Sequence, residues 1–260
     1  MESNSGAPVT VERDGAVAVV TLNRPEKRNA LTVELKEALL AALEEVAADD
    51  SVRAVVLAGS GKSFCVGQDL SEHVESLRGN ASTSFDTVER HYNPIVRSIA
   101  TMPKPVVGAI NGGAVGAGLG FALACDLRVA ADTATFATAF AAIGLTADSG
   151  LSASLVHSLG AARATELLLL GESFDAAQAQ ASGLVRAVVP ADRVVDTARE
   201  LAARLAAGPT LAYAEIKKAV ALGAVSSLDT VLEGEAAGQA RLGVTRDHRE
   251  AVEAFLEKRR

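Results

Sequence analysis

The sequence predicts a mixed α/β fold of repeated ββα units followed by a helical C-terminal part, and three observations carry that prediction. Short β-branched runs recur near residues 52, 105, 127 and 185, and helical patterns lie between them. From about Ala191 the chain is almost wholly alanine-rich helix with Leu and Val stripes, extending to Arg260. At 260 residues and 49% hydrophobic content, the chain is long and apolar enough to bury a substantial core.

Each element has a local cause. Val9 to Leu22 reads as a hairpin turning at Asp14-Gly15, a strong turn signal. Thr32 caps a helix running to about Ala48, on which Leu35, Leu39, Leu40 and Leu43 form one apolar stripe. Val52 to Leu57 is a strand, and the glycine-rich loop after it ends at Gly67, Gln68 and Asp69. Ser71 to Phe85 holds Gly79, Asn80, Ser82, Thr83 and Ser84 and reads as a loop able to cover a site. The run PVVGAI from Pro105 is a buried strand, and GAGLGFALA, short of polar residues, is a helix packed on both sides.

Between that strand and helix lie five glycines, at 112, 113, 116, 118 and 120. Glycine serves where the backbone needs positive φ or where a neighbour leaves no room for Cβ. Three readings compete: a close-packed helix without a ligand, a dinucleotide site, and an oxyanion-binding turn at the helix N-terminus. The spacing is GxxGxGxG and not GxGxxG, so the dinucleotide reading is weak. The oxyanion reading requires a partner donor elsewhere, and the loop ending at Gly67-Gln68-Asp69 offers one.

Composition excludes several classes. A net charge of -7 disfavours nucleic acid. The chain lacks an apolar run near 20 residues and a signal pattern at its start, so a cytoplasmic protein without a membrane span is expected. Cys65 and Cys125 lie in apolar or small-residue surroundings and read as reduced structural thiols; the four histidines show no metal-ligand spacing.

Three spaced motifs occur in order: NRPEKRNAL at Asn23, SFCVGQDL at Ser63, and INGGAVGAGLGFALACDLRVA at Ile110. With the ending GPTLAYAEIKKAV and DHREAVEAFLEKR, they make the chain resemble the crotonase family, the enoyl-CoA hydratase and isomerase superfamily, over nearly its whole length. The resemblance implies a spiral of ββα units over residues 1–190 and a helical oligomerisation region over 191–260, assembled as a homotrimer or a hexamer of paired trimers. Leu211, Ile216, Val220, Leu228, Leu232 and Leu242 would supply the apolar interface. It further implies an acyl-CoA substrate, no prosthetic group, and an oxyanion hole formed by the backbone N–H groups of Gln68 and Ala117. Such donors stabilise the enolate oxygen that develops when a proton leaves the carbon beside a thioester. For Gln68, a surface loop side chain stays open as the plainer reading.

Hydratases of this family carry two glutamates, at positions occupied here by Gly120 and Phe140. Both are missing. The remaining carboxylate, Asp148 in GLTADSG, stands where the resemblance places the acidic residue of enoyl-CoA isomerases, and the segment is similar to that of the phenylacetate-pathway isomerase branch. Asp148 would then act as acid and base, walled by Ala139, Phe140, Ile143 and Leu145; the alternative is a helix N-cap near Ser149. By the same resemblance, coenzyme A would lie against Lys27, Arg28 and Lys62, the segment Val66, Gln68, Asp69 and Leu70, and Phe255 and Lys258 near the C-terminus. A charged surface turn and an ordinary amphipathic terminal helix remain the alternatives for the cationic residues and the tail. The readings carried forward are a double-bond isomerase, a hydratase, and a catalytically silent acyl-CoA-binding protein.

Overall fold

The computed structural model describes residues 6–80 and 84–257. Its elements are β1 (Val9–Asp14), β2 (Val17–Leu22), α1 (Val33–Ala48), β3 (Ala54–Gly59), β4 (Ser63–Cys65), α2 (Leu70–Asn80), α3 (Asn93–Thr101), β5 (Val106–Ile110), β6 (Gly113–Val115) and α4 (Ala117–Ala124). They continue as β7 (Leu127–Ala131), β8 (Thr135–Ala137), α5 (Leu151–Leu170), β9 (Phe174–Asp175), α6 (Ala176–Ala181), β10 (Ala187–Val189), α7 (Val194–Ala206), α8 (Thr210–Gly223), α9 (Leu228–Leu242) and α10 (Arg246–Glu257).

The β1–β2 hairpin pairs Val9 with Leu22 through Asp14 with Val17, and Gly15 supplies the positive φ of the turn, 56°. β2 then pairs in parallel with β3, and the sheet runs β1-β2-β3-β5-β7-β10, parallel from β2 onward. Every residue of β3 and β5 is buried, as expected for parallel strands covered on both faces. A second sheet, β4-β6-β8-β9, takes the short strands β4, β6 and β8 that follow β3, β5 and β7, with β9, which comes after α5, antiparallel at its edge. This alternation is the ββα spiral that the sequence resemblance implies. α7 packs along β2, β3, β5 and β7, whereas α8 and α9 pair with each other.

Thr32 caps α1 as expected, its hydroxyl accepting from the Leu35 N–H at 3.3 Å. Two expectations need correction. Residues 70–80 form a helix, not a loop: Asp69 Oδ1 accepts from the N–H groups of Ser71 and Glu72, and Leu70, Val74 and Leu77 repeat at helical spacing. Residues 81–83 of that predicted loop lie outside the described residues. The helix placed near Ser149 begins at Leu151, with Gly150 in left-handed conformation as its cap residue.

The NRPEKRNAL segment is held by two of its own side chains. Asn29, fully buried and left-handed at φ 56°, accepts from the Arg24 N–H and directs its amide nitrogen at the carbonyls of Ser60, Ser63 and Phe64, between 2.8 and 3.1 Å. Arg24 Nη1 donates to Ala30 O and to Asp69 Oδ2. These bonds tie the segment to the β3–β4 turn and to the start of α2. Replacing Asn29 with Ala strands buried carbonyls and strains a left-handed residue, so we expect a loss of about 2–4 kcal/mol in denaturant unfolding. An unchanged midpoint would contradict this account.

Candidate active site

The two glycine-rich segments meet backbone to backbone. β4 pairs in parallel with β6, Ser63 opposite Gly113 and Cys65 opposite Ala114, with a register shift between them. A Cβ on Gly118 would overlap the Cys65 carbonyl, and one on Gly67 would lie 3.0 Å from the Val115 oxygen and 3.7 Å from the Ala117 nitrogen. Gly67 has φ 83°, and Gly116 enters α4 at φ 55° while donating to Ala137 O. Gln68 and Ala117 are thereby brought together at the N-terminus of a buried helix. Leu31 takes the N–H of Asp69 and gives its own to Gly67 O, passing over Gln68. Among the described residues, the backbone N–H groups of Gln68 and Ala117 have no acceptor.

Both residues line a cavity of about 300 Å³ whose surface is mostly apolar, with Val66, Phe85, Val88, Val115, Phe140, Ile143 and Leu145 in its walls. Asp148 is its only acidic lining residue among those described. The carboxylate does not cap α5: the Asp148 carbonyl accepts from the Leu151 N–H, while Oδ1 accepts from the Ser149 hydroxyl at 2.7 Å. Burial raises the Asp148 pKa above the ordinary carboxylate range, opposed by the Ser149 hydrogen bond. Ala139 (φ 60°) and Ser149 (φ 54°) bracket this wall in a conformation that costs non-glycine residues on the order of 1–3 kcal/mol.

The Gly120 position, where the resemblance places a hydratase glutamate, is closed. A Cβ on Gly120 would stand 2.5 Å from Ser149 Cβ and 2.7 Å from its carbonyl oxygen. Phe140, where the resemblance places the second, is a cavity wall and 8% exposed.

The other sequence candidates separate into two groups. Val66, Gln68 and Leu70 line the cavity. Asp69 does not: its carboxylate is engaged by Arg24, Ser71 and Glu72, and its N–H donates to Leu31 O. Lys27 and Arg28 are exposed in the turn before Asn29, and with Lys62 they have no ion-pair partner among the described residues. Phe255 lies on exposed α10, and Lys258 falls outside the described residues. Cys65 and Cys125 are buried, and burial pushes both thiols up to about 12, leaving them protonated at neutral pH.

Sequence reading missed the polar layer behind Gln68. Lys36, 1% exposed, donates from Nζ to Gln68 Oε1 at 3.3 Å and to Thr87 Oγ1 at 2.7 Å, and sits 5.3 Å from the Tyr92 ring centre. The Tyr92 hydroxyl donates to the same Gln68 oxygen. Burial raises the Tyr92 pKa, with Asp148 adding to it, and burial lowers that of Lys36, opposed by Glu72 and Glu37. The only sequence signal was a lysine interrupting the apolar residues of α1.

The family model described as enoyl-CoA hydratase/isomerase matches residues 12–260. The 1,2-epoxyphenylacetyl-CoA isomerase of Escherichia coli (strain K12) is 42% identical over 243 residues, covering 94% of this chain and 93% of that one. A protein of Rhodobacter capsulatus named probable enoyl-CoA hydratase is 41% identical over 252 residues, covering 96% and 95%. The crystal structure of a Mycobacterium abscessus protein assigned to enoyl-CoA hydratase/isomerase superposes with a TM-score of 0.92 at 50% identity, covering 96% of both chains.

If Ser149 closes the position beside Gly120, Gly120→Ala overpacks it and lowers stability by about 1–3 kcal/mol in thermal or denaturant unfolding. An unaffected variant would mean that the space is open.

Proposed function

The chain belongs to the enoyl-CoA hydratase/isomerase family, and within it we propose that this enzyme shifts the double bond of an enoyl-CoA thioester, with Asp148 as the sole proton carrier. The observation that carries this reading is one carboxylate in an apolar cavity beside two unengaged backbone N–H groups.

On a 3-enoyl thioester, Asp148 takes the C2 proton, and the C–H electron pair forms a C1–C2 double bond as charge moves onto the thioester oxygen. The N–H groups of Gln68 and Ala117 hold that oxygen, and the α4 dipole adds to the field. Protonated Asp148 then returns its proton to C4; the electrons move back, leaving a C2–C3 double bond and a regenerated carboxylate. The sequence needs neither a prosthetic group nor a water nucleophile. A raised carboxylate pKa suits a group that must both accept and donate a proton.

Lys27, Arg28 and Lys62 stand exposed near the SFCVG loop and are proposed to meet the phosphates of coenzyme A, with Val66 and Leu70 along the cavity. The exposed Leu211, Ile216, Val220, Leu228 and Leu232 on α8 and α9 are proposed as the contact surface of a homotrimer or a pair of trimers, residues 191–260 forming the assembly region on the 1–190 core. Among the described residues no helix is long and apolar enough to cross a membrane.

A hydratase is the second reading, favoured by the named hydratases among the relatives. The closed Gly120 position and Phe140 weigh against two-carboxylate water addition.

Asp148→Asn is expected to lower kcat on 3-enoyl-CoA by about 10²–10⁴-fold, with products resolved chromatographically and 2-enoyl-CoA run in parallel. Hydration of 2-enoyl-CoA that ignores the substitution would return the protein to the hydratases. In the parent, kcat/KM falls as pH falls and the base is protonated; because burial raises that pKa, the midpoint should lie above the ordinary aspartate value of about 3.9. Replacing Lys27 and Arg28 together by Ala should weaken CoA binding roughly tenfold and flatten its salt dependence; calorimetry showing equal affinity at low and high salt in both proteins would reject the phosphate assignment.

A further inference from the structure

We propose that Lys36 and Tyr92 are positioning residues that act through Gln68: their two donors clamp the Gln68 side-chain oxygen and so hold the Gln68 backbone N–H on the thioester oxygen. This rests on the oxyanion-hole reading of Gln68 and Ala117.

Gln68 lies between Gly67, which is left-handed and whose carbonyl accepts from Leu31, and Asp69, whose N–H donates to Leu31. The peptide that carries its N–H is held from one side, through the Gly67 carbonyl that accepts from the Leu31 N–H, and the Gln68 side chain supplies a second hold from the other. The side-chain oxygen has two acceptor sites, and Tyr92 Oη and Lys36 Nζ fill both. The donors are fixed in turn: Lys36 Nζ also donates to Thr87 Oγ1, which lies 3.0 Å from His91 Nδ1, and the Tyr92 ring packs edge-on to Phe121 at 6.1 Å.

A purely structural role explains this layer poorly. A buried ammonium contributes little stability relative to an apolar side chain of similar volume, and Lys36 shares α1 with the fully buried Leu35, Leu39 and Leu43. Among the described residues no carboxylate stands within ion-pair distance of Lys36; its Nζ hydrogen bonds go to the neutral oxygens of Gln68 and Thr87, and Glu72 and Glu37 act on it from farther away. Tyr92 and its neighbours come from a π-turn, Val88–Tyr92, closed by the Asn93 N–H to Val88 O. Such turns are uncommon and are found frequently at functional sites.

The test uses the full chain and a chromophoric cinnamoyl-CoA thioester, whose absorbance moves to longer wavelength when its carbonyl is polarised. The variants are Tyr92→Phe, Lys36→Met, Gln68→Ala, and Tyr92→Phe combined with Gln68→Ala. Tyr92→Phe keeps the ring and its packing, and circular dichroism with thermal unfolding checks each fold. The expected result is a diminished spectral shift in Tyr92→Phe and Lys36→Met, with kcat on 3-enoyl-CoA down about tenfold and KM within about twofold. In the Gln68→Ala background, Tyr92→Phe should have no further effect. A full spectral shift in folded Tyr92→Phe, or losses that multiply in the double variant, would overturn the proposal while leaving the hole itself standing. No shift even in the parent would overturn the oxyanion reading and the proposal with it.

Discussion

The approach of one bare backbone to another, at Cys65–Gly67 against Val115–Gly118, is the constraint on which this structure depends. A side chain at Gly118 would collide with a carbonyl of β4, and one at Gly112 would collide with the carbonyl of Lys62. With those glycines in place, β4 and β6 pair in parallel, α4 begins directly beside the loop that follows β4, and Gln68 and Ala117 line one cavity. The buried parallel strands β3 and β5 deliver both segments to the same edge of the core.

Much of the site's frame was legible because its causes are local. A turn at Asp14-Gly15, a Thr32 cap and a run of glycines ahead of an apolar helix each announce themselves within a few residues. What escaped needed long-range contact. Lys36 meets Gln68 and Thr87 across 32 and 51 positions, and no period in the sequence encodes such a meeting. The helix over 70–80 is hidden for a different reason: turn-forming residues from Gly79 onward outweigh a short apolar stripe, and its cap, Asp69, lies in a segment that the resemblance assigns to ligand contact.

Motif residues also divide between chemistry and support. Asn29 and Arg24 secure the NRPEKRNAL segment, and Asp126 accepts from the Val106 N–H at 2.7 Å while pairing with Lys217 of α8 at 2.8 Å. Arg128 donates to Leu184 O and Cys125 O. In these places the family signature marks scaffold. A resemblance therefore identifies the fold more firmly than it identifies which polar residue touches substrate.

The charge arrangement favours the one-carboxylate reading on physical grounds. In the proposed step Asp148 loses its charge as the thioester oxygen gains one, so the cavity carries the same net charge throughout. The charge only moves, from a carboxylate that burial makes willing to take a proton toward N–H groups backed by the α4 N-terminus and the Lys36 layer. An apolar wall such as Phe140 is tolerable under that exchange, since no second ion or nucleophilic water has to be stabilised within it. A second glutamate at Gly120 would add an ion where Ser149 already fills the space. Closing that position and placing a single acid in the apolar cavity are thus consistent parts of one design for proton transfer.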